Sequence, residues 1–162
     1  MLTQAELKSQ LHYDAEAGLF TWLRTSNHIK IGSVAGTLDS GGHVQIKILS
    51  KLILAHRLAF LYTNGALPVD CVDHINGVRA DNRWCNLREA NNQQNSYNAA
   101  LRKTSTTGVS GVNWCKRDKK FIARCSVSGK RHLLGYFDNL ESAKQARQDF
   151  AKLHHMEFYR ES

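Results

Sequence analysis

The spacing of apolar residues predicts a short helix and a strand pair at the start of the chain. Thr3 and Glu6 stand at the spacing of a capping box, and Leu7 and Leu11 lie one helical turn apart, so a helix is expected to begin there. Residues 13–23 then predict two strands, because a turn that contains a glycine separates two runs of aromatic and apolar residues.

A further strand and helix are predicted in the middle of the chain. Apolar and polar residues alternate over positions 44–48, which is typical of a half-buried strand. Apolar residues recur at helical spacing from Ile53 to Tyr62, and Gly65 and Pro68 end this pattern. We expect the resulting sheet and helix to pack behind the segment that follows.

The pattern changes again beyond residue 108. Three short strands joined by tight turns are predicted over residues 111–117, 121–127 and 131–137. A helix is expected next, because Asp138 and Glu141 form a second capping-box pattern and apolar residues recur at helical spacing up to Leu153. The prediction is a three-stranded antiparallel sheet packed on one helix, in a chain whose fold class is α+β.

Length and composition favour a folded protein. The chain has 162 residues, of which 42% are hydrophobic and 22% charged, and this allows one domain or two to three small modules. Its apolar runs fall well short of the roughly 20 residues of a membrane span, and residues 1–10 lack the pattern of a signal peptide. We therefore expect an intracellular, cytoplasmic protein without a membrane partner.

Positive charge is concentrated in the carboxy-terminal part. Residues 1–100 carry 9 Lys and Arg against 8 Asp and Glu, a net charge of +1, whereas residues 101–162 carry 13 against 6, a net charge of +7. A basic module of this kind indicates a polyanionic partner. Solvated basic loops without a partner are the alternative.

The four cysteines do not follow the spacing of a structural zinc site. Cys71, Cys85, Cys115 and Cys125 include no C-x-x-C pair. We therefore expect reduced thiols, buried or half-buried, and no structural zinc.

Residues 72–98 combine the groups that phosphodiester cleavage needs. Asp73 offers oxygen ligands for a hard divalent cation, and its strand neighbour His74 points to the opposite side, where it can handle a proton. Asn86 and Asn95 follow at distances that fit a strand, a loop, a second strand and a short helix. A surface turn capped by Asp73, followed by a polar tail, is the structural alternative.

This segment resembles the HNH nuclease motif, in the zinc-free form found in phage intron-encoded homing endonucleases. The matching signature is DHINGxxxDNRWxNLR, and a helix similar to residues 55–62 precedes the Asp-His pair in such proteins. The resemblance implies a ββα-metal (His-Me finger) core. It also implies products that carry a 5′-phosphate and a 3′-hydroxyl. If a phage encodes the chain, the enzyme is expected in the cytoplasm of the host cell.

The resemblance also implies roles for single residues. Asp73 and Asn95 match the metal ligands for one Mg²⁺ or Mn²⁺ per active site, His74 matches the general base, and Asn86 matches the residue that holds the loop and steers the histidine. Three arginines beside the motif are expected to grip DNA phosphates, although two of them could pin the loop instead. These arginines are Arg79, Arg83 and Arg88, and the two that could pin the loop instead are Arg83 and Arg88.

The basic segment resembles the plant ethylene-response-factor (APETALA-type) DNA-binding domain, which phage HNH proteins often carry at the carboxy terminus. The matching stretches are residues 110–112, 121–124 and 134–138, with the Ala-rich helix from Glu141. Together the two resemblances predict four segments: an amino-terminal α+β segment at 1–52, the nuclease core at 53–100, a linker at 101–108 and the DNA-binding domain at 109–162.

In that family one sheet face packs on the helix and the other enters the major groove of DNA. Strand alternation places Ala123 and Cys125 toward the helix. The candidate DNA-binding residues on the outer face are Asn113, Arg117, Arg124, Ser126 and Arg131, with Cys115 and Leu133 beside them. Plant domains have arginines in place of Asn113 and Cys115 and a tryptophan in place of Leu133, so their GC-rich target does not transfer to this chain.

The sequence therefore predicts a metal-dependent endonuclease, homing-endonuclease-like, that hydrolyses double-stranded DNA. A non-catalytic, sequence-specific DNA-binding regulator that retains an HNH fold is the first alternative. An RNA-directed nuclease or RNA-binding protein is the second, and it is disfavoured because the outer sheet face lacks paired aromatic residues that stack unpaired bases. Trp114 is expected to pack rather than to contact a base.

Overall fold

The protein is a mixed α+β molecule with several small sheets. Its computed structural model describes residues 2–26, 28–97 and 105–155. The chain forms two compact units, residues 1–91 and residues 92–162, and the division falls ahead of the predicted linker, of which residues 101–104 lie outside the described ones. Among the described residues, every helix is too short or too polar to cross a bilayer.

In its described residues the first unit contains two α-helices, one short 3₁₀ helix at Trp84–Asn86 and three small antiparallel sheets. The elements in chain order are α1 Gln4–Gln10, β1 Leu11–Asp14, β2 Leu19–Trp22, β3 Thr37–Leu38, β4 Val44–Ile48, β5 Lys51–Leu54, α2 Ala55–Asn64, β6 Cys71–His74 and β7 Leu87–Ala90. The strands pair as β1–β2, as β3–β4–β5 and as β6–β7. The predicted capping box at Thr3 and Glu6 and the predicted strand pair that follows it are both present.

The predicted start of the central helix is wrong by two residues. Ile53 and Leu54 belong to β5, where they pair with Ile46 and Gln45 of β4, and α2 begins at Ala55. The apolar pattern misleads here because a strand and a helix follow each other without a polar turn. The predicted end is confirmed, since Gly65 terminates α2 with a φ of 81°.

Helix α2 packs behind the β6–β7 hairpin, as the sequence predicts. Leu58 and Leu61 of α2 are buried in one cluster with Val72 of β6 and Leu87 of β7. The β1–β2 turn braces the loop of the hairpin from another side, and a Cβ at Gly18, whose φ is 71°, would lie 2.3 Å from the Arg83 nitrogen. Only glycine allows the two backbones to approach so closely.

The second unit contains helix α3 and a sheet packed on helix α4. Its elements are α3 Asn92–Tyr97, β8 Val112–Cys115, β9 Lys120–Val127, β10 Lys130–Phe137 and α4 Leu140–His155. The sheet order is β10–β9–β8, antiparallel throughout, so the predicted sheet and helix are both present. Ala123 and Cys125 are buried, as strand alternation predicts.

The predicted capping box at Asp138 and Glu141 is wrong. Asn139 caps α4 instead, with its Oδ1 accepting a hydrogen bond of 2.8 Å from the Ser142 nitrogen. Asp138 directly follows β10 and pairs with Lys120 at 3.1 Å. The cysteines also differ in part from expectation. Cys85 is exposed, although all four cysteines are reduced as predicted.

Candidate active site

The β6–β7 hairpin buries the Asp-His pair. Asp73 pairs with Arg88 across the two strands, and His74 pairs with Leu87. Only 3% of Asp73 and 6% of His74 is exposed. Burial of two polar side chains in adjacent positions costs free energy unless they find partners, so the contacts of each side chain indicate its role.

Arg88 is the partner of the Asp73 carboxylate. Its Nε donates a hydrogen bond of 2.8 Å to Asp73 Oδ2, and its Nη2 lies 2.6 Å from the same oxygen. The side chains are 16% and 4% exposed, so this ion pair is largely shielded from solvent. The sequence allows two roles for Arg88, contact with a DNA phosphate or pinning of the loop, and this geometry favours the structural role.

Asn86 links the two arms of the loop between β6 and β7. Its Oδ1 accepts a hydrogen bond of 2.9 Å from the Asn76 nitrogen, and its Nδ2 donates one of 2.8 Å to the Asp81 carbonyl. The Ile75 nitrogen donates to the Asn86 carbonyl at 2.9 Å. These bonds fix the backbone that follows His74, which agrees with the loop-holding part of the predicted role.

Asn82 contacts the His74 ring directly, and the sequence analysis assigned it no role. Its Oδ1 lies 3.4 Å from His74 Nε2, and only 2% of Asn82 is exposed. An amide oxygen accepts and does not donate, so this contact favours the tautomer with the proton on Nε2 and a lone pair on Nδ1. The signal was present in the motif, because Asn82 belongs to the DNRW stretch of the signature.

The environment of His74 suits a general base. Burial lowers the pKa of His74 below its ordinary value, and the Asn82 hydrogen bond partly opposes that effect. Nearby His43 lowers the pKa further, whereas the Asp73 and Asp81 carboxylates raise it. A lowered pKa keeps the imidazole neutral near pH 7, which is the protonation state that accepts a proton.

Two further histidines lie close to His74, and neither was predicted from the sequence. The ring centroid of His56 lies 5.1 Å from that of His74, and the His43 centroid lies 6.0 Å away. His56 is 5% exposed, and its buried Nδ1 has no hydrogen-bond partner in the described part of the chain. The sequence pattern does not predict this cluster, because the three histidines belong to separate elements of the fold.

Burial of His56 predicts a loss of stability in acid. Its pKa is lowered from 6.5 to about 3, first by burial and then by His74 and His43. Between these pH values the unfolded chain binds a proton at His56 that the folded chain does not. The free energy of unfolding is therefore at its full value above pH 6.5 and decreases as the pH falls. We expect the free energy of unfolding of the first unit to drop by roughly 1–3 kcal/mol between about pH 7 and 4.5 from this group.

Urea titrations at several pH values, followed through amide resonances of α2, measure this effect. His56→Gln should flatten the dependence of stability on pH, because glutamine does not titrate. The matched control is His12→Gln, which changes an exposed histidine in β1 of the same unit. Equal pH slopes for His56→Gln and the wild type would contradict the assignment of this effect to His56.

The two remaining arginines of the motif also make contacts within the first unit. Arg83 Nε donates to Asp81 Oδ1 at 2.8 Å, and this arginine holds the pKa of the Asp81 carboxyl below its usual range. Arg79 Nη1 donates to the Gly41 carbonyl at 2.7 Å. The contact of Arg83 favours its alternative role, in which it pins the loop, and the contact of Arg79 connects the loop to residues 39–43.

The predicted second metal ligand lies in the other unit. Asn95 is an exposed residue of α3, which follows β7 directly in the chain. Among the described residues, no three His, Cys, Asp or Glu side chains are grouped so as to hold a metal ion. The carboxylate and amide oxygens of the two predicted ligands are the donor type of hard cations such as Mg²⁺, which often bind only one or two protein groups.

The second unit presents a basic sheet face opposite α4. Residues that are directly opposite on antiparallel strands share a face. The register pairs Asn113 with Ile122, Leu133 with Arg124 and Arg131 with Ser126, which places the predicted candidates on the outer face. Arg117 lies in the turn after β8 and pairs with Asp118 at 2.8 Å.

Aromatic residues of this sheet lie on both faces. Trp114 pairs with Phe121 on the helix side, and their ring centroids are 4.7 Å apart, which agrees with the packing role expected for Trp114. Tyr136 pairs with Ile122 on the outer face and is 48% exposed. The sequence analysis missed Tyr136, because a bulge between Leu133 and Gly135 shifts the alternation of β10.

Comparison with known proteins supports the nuclease motif. Residues 54–97 match the family model described as HNH endonuclease, which identifies an HNH nuclease domain in this segment. The chain is also 33% identical over 79 residues to Protein 3.8 of Escherichia phage T7, and this match covers 48% of the chain and 65% of that protein. No solved structure gave a significant match. HNH nucleases generally use a divalent metal, and the matched segment contains β6, β7 and α3.

Proposed function

We propose that the chain is a metal-dependent DNA endonuclease of the HNH type with His74 as its general base. The observation that carries the proposal is the geometry of His74 itself. Its ring is buried beside a carboxylate, it is kept neutral, and Asn82 at Nε2 leaves the lone pair on Nδ1. A positioned base of this kind contributes about 10²- to 10⁴-fold to a hydrolytic rate.

In the proposed reaction His74 Nδ1 takes a proton from water as the water oxygen attacks phosphorus. The bond between phosphorus and the 3′-oxygen breaks, and the leaving 3′-oxygen takes a proton from solvent to give the 3′-hydroxyl. Asn86 and Asn82 hold the loop and the ring so that the lone pair keeps its direction. Asp73 and Asn95 would hold the divalent cation, and that cation supplies Lewis-acid stabilisation of charge on the scissile phosphate. Arg88 fixes one oxygen of Asp73 and so determines how the carboxylate faces the site.

The outer sheet face of the second unit is proposed to bind the DNA backbone. The unit has the larger positive charge, and Arg124, Ser126 and Arg131 lie together on a face that α4 does not cover. Contacts with phosphates give affinity without sequence preference, and contacts with base edges give specificity. The single exposed tyrosine on this face in the described residues favours duplex DNA over unpaired RNA, whose readers stack bases on several aromatic residues.

Cleavage of supercoiled plasmid DNA tests the proposal. With Mg²⁺ the protein should convert supercoiled plasmid to nicked or linear forms, and with EDTA it should not. The Asp73–Arg88 ion pair is the observation that favours the alternative, a regulator without activity, because the arginine already neutralises the buried carboxylate. Tight DNA binding with no cleavage in Mg²⁺ or Mn²⁺ would establish that alternative.

The ligand assignments predict a shift in metal dependence. Asp73→Asn and Asn95→Ala each weaken one oxygen ligand, so we expect the Mg²⁺ concentration for half-maximal cleavage to rise at least about tenfold, equivalent to roughly 1.4 kcal/mol of lost binding free energy. Higher Mg²⁺ should recover part of the activity. Asp73→Asn is preferable to alanine because an amide can still accept the Arg88 hydrogen bond.

A metal titration of the cleavage rate measures this shift. His74→Ala is the control, because its defect should persist at every Mg²⁺ concentration. An unchanged Mg²⁺ requirement in both ligand variants would contradict the assignment of Asp73 and Asn95 to the metal.

A further inference from the structure

Residues 39–43 form a tightly bonded turn in the first unit. Asp39 Oδ1 accepts hydrogen bonds from the Gly41 nitrogen at 2.8 Å and from the His43 nitrogen at 2.9 Å. The Asp39 nitrogen donates to the His43 carbonyl at 2.8 Å, and the Gly42 nitrogen donates to the Asp39 carbonyl at 3.0 Å. The turn therefore holds the backbone of His43 in one position.

Arg79 fastens this turn to the loop of the β6–β7 hairpin. Its guanidinium donates to the Gly41 carbonyl at 2.7 Å, across 38 positions of sequence. Arg79 lies five residues beyond His74, in the loop that Asn86 closes. This hydrogen bond helps to hold His43 in position relative to His74, and so it keeps the two rings close together.

The three imidazoles are not equivalent. His56 and His74 are 5% and 6% exposed, whereas 27% of the His43 side chain is exposed. The rings are inclined to one another by 43° to 84°, and no metal-binding group of three side chains is present in the described part of the chain. His43 is therefore the most exposed member of the cluster and offers the largest surface to a substrate arriving from solvent.

Asp39 also determines which edge of the His43 ring is available. Its Oδ2 lies 3.7 Å from His43 Nδ1, so the carboxylate faces that nitrogen, and Nε2 is at the opposite edge of the ring. With ring centroids 6.0 Å apart, His43 and His74 are close enough to contact one phosphodiester group, since each hydrogen bond spans about 2.9 Å.

We propose that His43 is a second catalytic residue. With a proton on each ring nitrogen, its Nδ1 faces the Asp39 carboxylate and its Nε2 donates a hydrogen bond to a non-bridging oxygen of the scissile phosphate as negative charge builds there. This role rests on the proposed endonuclease function. A fixed donor aimed at developing charge accelerates the reaction because no reorganisation is needed when the charge appears. Loss of one such donor in a closed site costs about 10²- to 10³-fold, and we expect about 10- to 100-fold for the partly exposed His43.

Three substitutions separate catalysis from packing. His43→Phe keeps an aromatic ring against His56 but has no donor, His43→Ala removes both, and His43→Asn keeps a donor in a shorter side chain. The catalytic role predicts that the first two variants lose about the same 10- to 100-fold in single-turnover rate at saturating enzyme, and that asparagine recovers at least severalfold. The enzyme concentration for half-maximal rate should change little, because the bond strengthens only in the transition state.

His12→Phe is the matched control, since His12 is an exposed histidine on β1 of the same unit. Far-UV circular dichroism and thermal unfolding establish that each variant is folded. A wild-type rate for His43→Phe would show that the ring only packs and would overturn the role of His43. If the wild type itself fails to cleave DNA, the endonuclease function fails and this role with it. Cleavage by the wild type, none by His74→Ala and a full rate for His43→Phe would reject the role of His43 alone.

Discussion

His74→Ala is expected to lower the single-turnover rate of DNA cleavage by about 10²- to 10⁴-fold while DNA affinity stays nearly unchanged. The loss is large because His74 supplies the lone pair that receives the proton of the attacking water. Affinity is retained because a side chain that is 6% exposed has little surface to offer to the duplex. A labelled duplex, cleaved at saturating enzyme and titrated without metal, gives both quantities.

Rescue by free imidazole is the control for this variant. Removal of the ring creates a cavity beside Asn82, so free imidazole added to His74→Ala should restore part of the rate. The same addition should not stimulate the wild type. A variant that keeps more than about a tenth of the wild-type rate would lie outside the lower bound for general-base catalysis, and His74 would lose that role.

Removal of two arginines of the basic sheet face and of Arg117 in the turn after β8 should weaken DNA binding strongly. Arg117, Arg124 and Arg131 changed together to glutamine should reduce the slope of log affinity against log salt by about 0.9 for each phosphate contact that is lost. At moderate salt we expect affinity to fall about 10- to 1000-fold for one to three lost contacts. The catalytic residues are unchanged, so cleavage at saturating protein should persist.

A control that removes two positive charges exists on the other side of the same unit. Lys144 and Lys152 belong to α4, and their change to glutamine removes positive charge without touching the outer sheet face. This control should leave the salt slope close to that of the wild type. Equal slopes for the triple variant and the wild type would show that this face does not hold the DNA.

Single changes at Arg124 and Arg131 distinguish phosphate contact from base recognition. An arginine on a phosphate weakens binding to all sequences about equally when it is changed to alanine. An arginine on a guanine edge should cost roughly 1–3 kcal/mol on the preferred sequence only. Binding competition between the preferred duplex and unrelated duplexes measures the difference.

Local patterns were sufficient to predict most elements of this fold. Alternation and turn residues were enough to locate the three strands of the second unit. The turn at Ser128 and Gly129 has positive φ at both residues, 49° and 74°, as a two-residue hairpin requires. The Asp-His pair and its loop were likewise predictable, because the motif fixes their order along a hairpin. Where two elements meet without a polar turn, as at Leu54, the boundary was wrong.

The environment of His74 was not predictable in the same way. Periodicity shows which face of an element is buried, but it does not show which buried polar groups meet. His43 and His56 reach His74 from a turn and from α2, and the contact depends on Arg79 bonding to a carbonyl 38 positions away. The ion pair between Asp73 and Arg88 depends on the register of β6 and β7, which places Arg88 directly opposite Asp73.

The central claim is that the Asp73–His74 site hydrolyses DNA. Its most direct test is conversion of supercoiled plasmid in Mg²⁺ by the wild type, His74→Ala and His12→Ala, purified in parallel to the same yield. The account predicts conversion by the wild type and by His12→Ala, at equal rates, and almost none by His74→Ala. Equal conversion by all three proteins would place the activity outside this site, and no conversion by the wild type would contradict the claim outright.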